Sequence, residues 1–156
     1  MAVGLLATPR ATKDLDFLVH VADLPGVDTL MKRLGYRLAS RTENFSRFEG
    51  RFPFQGTVDL QHAIRPGSIS MLGRAGTRAI PGLRRKGRIL LAEDLVGLKV
   101  QAMANDPERV DRDRADIVDV LRARGKRVQW TRVLGYYSDF GRRREGLKIR
   151  RRLTGK

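Results

Sequence analysis

The chain has no cysteine. Disulfides and thiolate metal sites are thereby excluded, and a reducing compartment fits. Histidine is scarce, at two residues. Zinc, which prefers nitrogen and sulfur ligands, is poorly served by that supply. No apolar run reaches the roughly 18 residues of a membrane-spanning helix, and the first residues resemble no secretory signal, so we expect a cytoplasmic protein with no membrane partner. Neither the phosphate loop G-x-x-x-x-G-K-[ST] nor a helix-opening G-x-G-x-x-G occurs. Acidic residues are few: 17 Asp and Glu stand against 32 Lys and Arg, for a net charge of +15. Such a field attracts phosphate, on nucleotides or on nucleic acid. The excess is uneven. From Arg122 to Lys156 there are thirteen Lys or Arg and two Asp or Glu. That end suits a polyanion, and a solvated basic tail would look the same.

The length of 156 residues fits one domain with a helical appendage. "LDFLVHV", Leu15 to Val21, is β-rich and predicts a strand. Leu30, Met31 and Leu34 recur at helical spacing before Gly35, which predicts a helix from about Val27 to Leu34. Tyr36 to Ser40 fits a short strand, and Phe45–Glu49 with Thr57–His62 a hairpin. The Gly- and Arg-rich stretch that follows reads as loop and hairpin, with one short strand near Ile69 to Leu72. From Ala92 the texture turns helical. "AEDLVGLKVQAMAND", "DRDRADIVDVLRARG" and "VQWTRVLGYYSDF" each carry apolar residues at 3–4 spacing. Trp130, Tyr136 and Tyr137 sit at that spacing, which favours core packing over stacking on bases. His20 and His62 read as strand-end residues. The expected layout is an α+β protein: a mixed sheet with flanking helices over 1–91, a helical segment over 92–140, and a basic tail over 141–156.

Two aspartates interrupt the first strand, in "PRATKDLDFLV". Residues i and i+2 of a strand share a face, so Asp14 and Asp16 point together, while Leu15 and Phe17 turn to a core. Two like charges so close repel unless one is protonated or a cation lies between them. Oxygen-only ligands suit a hard ion, Mg²⁺ or Mn²⁺. Asp59 in "TVDLQ" also opposes its apolar neighbours Val58 and Leu60. If the two strands are adjacent, three carboxylates converge, a set able to hold two divalent ions for phosphoryl or nucleotidyl transfer. The plainer alternative is a capping Asp14, a solvated Asp16 and an edge-strand Asp59.

"PRATKDLDFLV" resembles the R-x-T-x-D-[IL]-D signature of minimal nucleotidyltransferases of the AbiEii type, within the DNA polymerase β-like superfamily. "LLAEDLVGLKVQAMANDPERVDRDRADIVDVLR" is similar to that group's paired helices, an L-x-x-LK-x-x-A helix and an R-x-x-KD-x-x-D-[IL] helix. The resemblance implies a nucleotidyltransferase fold and a Mg²⁺-dependent NTP site. It matches Asp14, Asp16 and Asp59 to the metal-binding, catalytic carboxylates. It matches Lys99, Asp113 and Asp116 to the helical blocks, with Lys99 on triphosphate oxygens, and Arg10 and Thr12 to the polar positions of the signature. Exposed helix charges and salt bridges would explain Lys99, Asp113 and Asp116 equally. The superfamily's Gly-Gly or Gly-Ser pair is expected to precede Met1, since Ala2 and Val3 match positions just after it. The resemblance implies transfer of an NMP from an NTP to an RNA (such as tRNA) or protein hydroxyl. The group includes toxins of toxin–antitoxin and abortive-infection systems, which implies an antitoxin partner. The alternative is a catalytically inactive member that binds nucleic acid or a partner.

Overall fold

The computed structural model describes residues 14–80 and 84–155, with only the backbone at Asp14. It divides into two compact units, one running to Ala75 and the other beginning at Gly76.

The first unit is built on a four-stranded sheet: β1 (Asp14–His20), β2 (Tyr36–Arg41), β3 (Phe45–Gly50) and β4 (Thr57–Ala63). The strand order is β1-β4-β3-β2. β1 runs parallel to β4, and the other two pairings are antiparallel. Helix α1 (Leu24–Arg33) provides the crossover cover; Pro25 opens it, and Gly35, at φ 81°, ends it as only glycine does cheaply. Met31 of α1 packs with Phe48, Val58 and Leu60 of the sheet, and Leu15 and Val19 join them. Phe17 departs from expectation, being 47% exposed. β1 is an edge strand, so its side chains have a strand neighbour on one side only.

The strand expected near Ile69 to Leu72 is a helix instead. α2 spans Pro66–Arg74. Arg65 is extended, as a residue before proline prefers, and Pro66 supplies the first helical φ. Ser68 Oγ donates to the Arg65 carbonyl at 2.9 Å. The glycines at 67 and 73 hide this start in a propensity reading.

The second unit begins with a hairpin, β5 (Gly76–Ala79) and β6 (Lys86–Ile89). Four helices follow: α3 (Ala92–Asn105), α4 (Val110–Arg124), α5 (Trp130–Asp139) and α6 (Arg143–Thr154). The first three match the periodicity. The fourth replaces the expected basic tail, because Ile149 and Leu153 give it an apolar stripe that packs on the core. That core joins Val96, Val100 and Met103 to Ile117, Leu121, Val133 and Tyr137. The unit thus holds both the hairpin and the helices, whereas the sequence reading divides the chain at 91/92.

Close approach governs the contact of α6 with α5. A Cβ on Gly146 would lie 2.8 Å from Tyr137 Cγ and 3.1 Å from Leu134 Cδ2. Gly146→Ala is therefore expected to destabilise the unit by about 1–3 kcal/mol, the usual scale of overpacking. Urea unfolding measures it, and an unchanged midpoint would show that α6 does not press on Tyr137.

Glu145 anchors the same helix. It is partly buried, which by itself raises a carboxyl's pKa, yet hydrogen bonds from Arg114 Nε (2.8 Å) and Arg142 Nη1 (3.0 Å) outweigh burial and hold it below the ordinary value. A depressed carboxylate stabilises the fold above its unfolded pKa, and that stability is lost as pH falls through the folded one. The thermal midpoint should therefore drop below about pH 4.5, the ordinary value for this group. Glu145→Gln should flatten part of that slope. A slope identical in the variant would remove Glu145 from the account.

Candidate active site

The parallel pairing of β1 with β4 decides which carboxylates meet. Its register places Asp16 directly beside Asp59, and Asp14 beside Thr57. In-register neighbours of a parallel pair point to the same face, with strand axes about 4.8 Å apart. β4 buries Val58, Leu60 and His62 on the core side and turns Asp59 the other way. Asp16 is exposed. The site therefore lies on the sheet face opposite α1's core.

Asp59 is already paired. Arg47 of β3, its antiparallel partner in register, donates Nε to Oδ1 at 2.8 Å and Nη2 to Oδ2 at 2.6 Å. This two-pronged contact is the strong geometry of a guanidinium on a carboxylate. Asp59's side chain is 14% exposed, against 47% for Arg47. The guanidinium offsets the repulsion that Asp16 and Asp59 would otherwise share. Sequence reasoning missed Arg47. The signal was present, because "FSRFEG" alternates so that Arg47 falls on the face opposite Ser46 and Phe48. It becomes informative only once β3 is known to pair with β4.

Nearby polar groups are self-contained. His62 is buried, with Nε2 2.8 Å from Ser46 Oγ and Nδ1 2.7 Å from the Glu43 carbonyl. His20 Nδ1 accepts from the Ala22 amide at 3.2 Å. Both histidines keep the strand-end roles expected of them. On the α1 side of the sheet, Arg41 donates to both oxygens of Asp28 and holds that carboxyl below its usual range. Among the described residues, no three His, Cys, Asp or Glu side chains form a group able to hold a metal ion. The side chain of Asp14, third member of the expected set, lies outside the described residues, as do Arg10, Thr12 and the positions matched to the Gly pair.

The second unit gathers the remaining candidates. Asp113 and Asp116 stand three apart on α4, hence on one face. Lys99 Nζ of α3 donates to Asp113 Oδ1 at 2.9 Å and to Asp116 Oδ2 at 2.8 Å. Arg109 adds a contact to Asp113 Oδ2 at 3.2 Å. Asp113 is wholly buried and Lys99's side chain is 15% exposed. Two further carboxylates, Glu93 and Asp94, are buried at the start of α3, where the helix dipole favours negative charge. They tie α5 down: Glu93 Oε1 accepts the Gln129 amide at 3.0 Å, and Asp94 Oδ1 accepts the Tyr136 hydroxyl at 2.6 Å. Tyr137 is fully buried, and burial pushes its hydroxyl's pKa up. Tyr136 and Tyr137 are therefore committed to packing, as their spacing suggested.

A comparison of folds gives this arrangement a context. The chain superposes on the solution structure of the antibiotic-resistance factor ANT(2'')-Ia, a nucleotidyltransferase, with a TM-score of 0.63 over 97% of this chain and 83% of that one. The fold is nucleotidyltransferase-like. Sequence identity is 15%, so the likeness concerns the fold. No family model and no curated protein matches the sequence. The α+β class expected from the sequence holds, with a mixed sheet, flanking helices and a C-terminal helical group. No helix among the described residues is long and apolar enough to cross a membrane.

Proposed function

We propose that the chain is a Mg²⁺- or Mn²⁺-dependent nucleotidyltransferase that moves an NMP from an NTP to a hydroxyl on an anionic acceptor, an RNA such as tRNA or a protein. The observation that carries this reading is the in-register placement of Asp16 beside Asp59 on the sheet face opposite α1's core, in a nucleotidyltransferase-like fold. The two described donors, Asp16 and Asp59, have the chemistry such an ion prefers. Their carboxylate oxygens are hard ligands, and Asp59 already draws a cation, the Arg47 guanidinium. A bound divalent ion would lower the pKa of the attacking hydroxyl and offset triphosphate charge. The chain's own residues do the rest. Asp14, Asp16 and Asp59 are the residues that would hold the ion. Asp59 accepts from Arg47 through both oxygens and keeps a further lone pair on each that could meet an ion. Lys99, held by Asp113 and Asp116, takes the triphosphate contact that the AbiEii-type resemblance implies, and the same resemblance gives Arg10 and Thr12 a part in nucleotide binding. The net charge of +15 favours an anionic acceptor and disfavours a cationic one. The same resemblance is what supports a toxin role in the cytoplasm, countered by an antitoxin.

The test is label transfer from each α-phosphate-labelled NTP to total RNA and protein, with and without Mg²⁺. Metal-dependent labelling supports the reading, and a folded chain that labels nothing overturns it. One observation favours a second reading, an inactive nucleic-acid or partner-binding module. Asp59 and Lys99 are both already engaged by protein partners. Absence of Mg²⁺-dependent NTP binding by calorimetry would select that reading.

A further inference from the structure

Helix α6 separates its charge from its packing. Arg143, Arg144, Lys148, Arg150, Arg151 and Arg152 are all exposed. Gly146 and Ile149 are buried, and Leu153 packs on the same core. At about 100° per residue, Glu145, Gly146, Ile149 and Leu153 fall within one arc of about 100°, and the six cations spread over about 200° of the rest. The helix's single acid, Glu145, lies on the inner arc, bonded to Arg114 and Arg142. The outer arc therefore carries no carboxylate to neutralise its cations. Residues three and four apart are neighbours on a helix, so Arg144, Lys148 and Arg151 repel one another in the free protein. A helix that served only to close the core would not need this surface.

We propose that the outer face of α6 docks the phosphate backbone of a nucleic acid. The inference deepens the proposed function by assigning the face that holds an anionic acceptor, and it rests on that reading only for the acceptor's role. The helix is presented firmly. Arg142 bridges the Met103 carbonyl (3.0 Å) and Glu145, tying the start of α6 to α3. Binding then costs little ordering of backbone, and the released counterions drive it. An anionic lipid surface is the competing polyanion. A peripheral helix needs an apolar face to sink into the lipid boundary. The apolar side of α6 is already used, with Ile149 in the core and Gly146 pressed against the Tyr137 ring. Phosphate contacts need only the cations.

The experiment is fluorescence anisotropy of a labelled mixed-sequence single-stranded RNA across a salt series, with no NTP and no divalent ion. Arg144→Gln/Lys148→Gln/Arg151→Gln removes the centre of the outer arc without touching the packed side. At about 0.7 counterions per lost contact, its log–log salt slope should flatten by about 2, with affinity at low salt falling roughly a hundredfold. Lys32→Gln/Arg33→Gln/Arg51→Gln removes equal charge from exposed positions of the first unit and should shift affinity far less. Equal losses in the two variants would show diffuse attraction and overturn the proposal. So would unchanged binding in the α6 variant, or α6-dependent binding to phosphatidylserine vesicles without binding to RNA. Circular dichroism and the urea midpoint confirm that each variant is folded. Docking that depends on α6 stands even where no transfer is detected, and transfer with α6-independent RNA binding overturns this proposal alone.

Discussion

If the proposed transfer holds, Asp16→Asn is expected to reduce it by roughly 10²–10³-fold or more, the scale seen when a preorganised group that stabilises transition-state charge is removed. Its unfolding free energy should stay within about 0.5 kcal/mol of the parent, because Asp16 is an exposed residue on an edge strand. The pair of readouts matters. A merely structural Asp16 would lose both activity and stability, and a solvated one would lose neither. Asparagine keeps the shape and one acceptor oxygen while removing the charge, so the loss tests ion binding rather than space. Transfer at the parental rate by the variant would sink the site assignment, whatever the fold. Parallel measurement of Mg²⁺-dependent NTP binding tells a lost ion from a lost chemical step.

The second large effect is on stability. Lys99→Met should destabilise the helical unit by about 3–5 kcal/mol, because it strands the wholly buried Asp113 and the nearly buried Asp116. Methionine preserves the aliphatic stem, so lost packing is not the cause. Arg109 remains on Asp113 Oδ2 but leaves Oδ1 without its donor. Replacing all three, as Lys99→Met/Asp113→Asn/Asp116→Asn, should recover much of the loss, since a buried ion set and a neutral one of similar volume often differ little. Urea unfolding of the single and triple variants reads this directly. A single-variant loss below about 1 kcal/mol, the median for an exposed pair, would free Lys99 from a structural role and leave the triphosphate contact as its main purpose.

Much of the candidate site was legible in local pattern. The alternation in "DLDFLVH" announced a strand with acids on one face, and "TVDLQ" a second one. The spacing of Asp113 and Asp116 announced a shared helix face. What could not be read was who answers those charges. Arg47 lies 12 positions from Asp59, and Lys99 lies 14 from Asp113. Nothing local to either residue specifies the pairing, which comes from strand register in one case and helix packing in the other. Propensity failed where glycine diluted it, at α2. Charge misled at the C-terminus, where the cations of α6 hid the stripe of Ile149 and Leu153.

The sequence by itself determined the helical period and apolar faces of α3, α4 and α5, the acidic face of the first strand and the cationic excess of the last segment. These follow from residues within a few positions of one another, where side-chain direction is set by the backbone repeat. Only the tertiary structure decided that β1 runs parallel to β4, which sets Asp16 beside Asp59, and that Arg47 and Lys99 are the cations those faces meet. Such pairings depend on closing loops and burying apolar surface across the chain, a choice that no short stretch of residues makes alone.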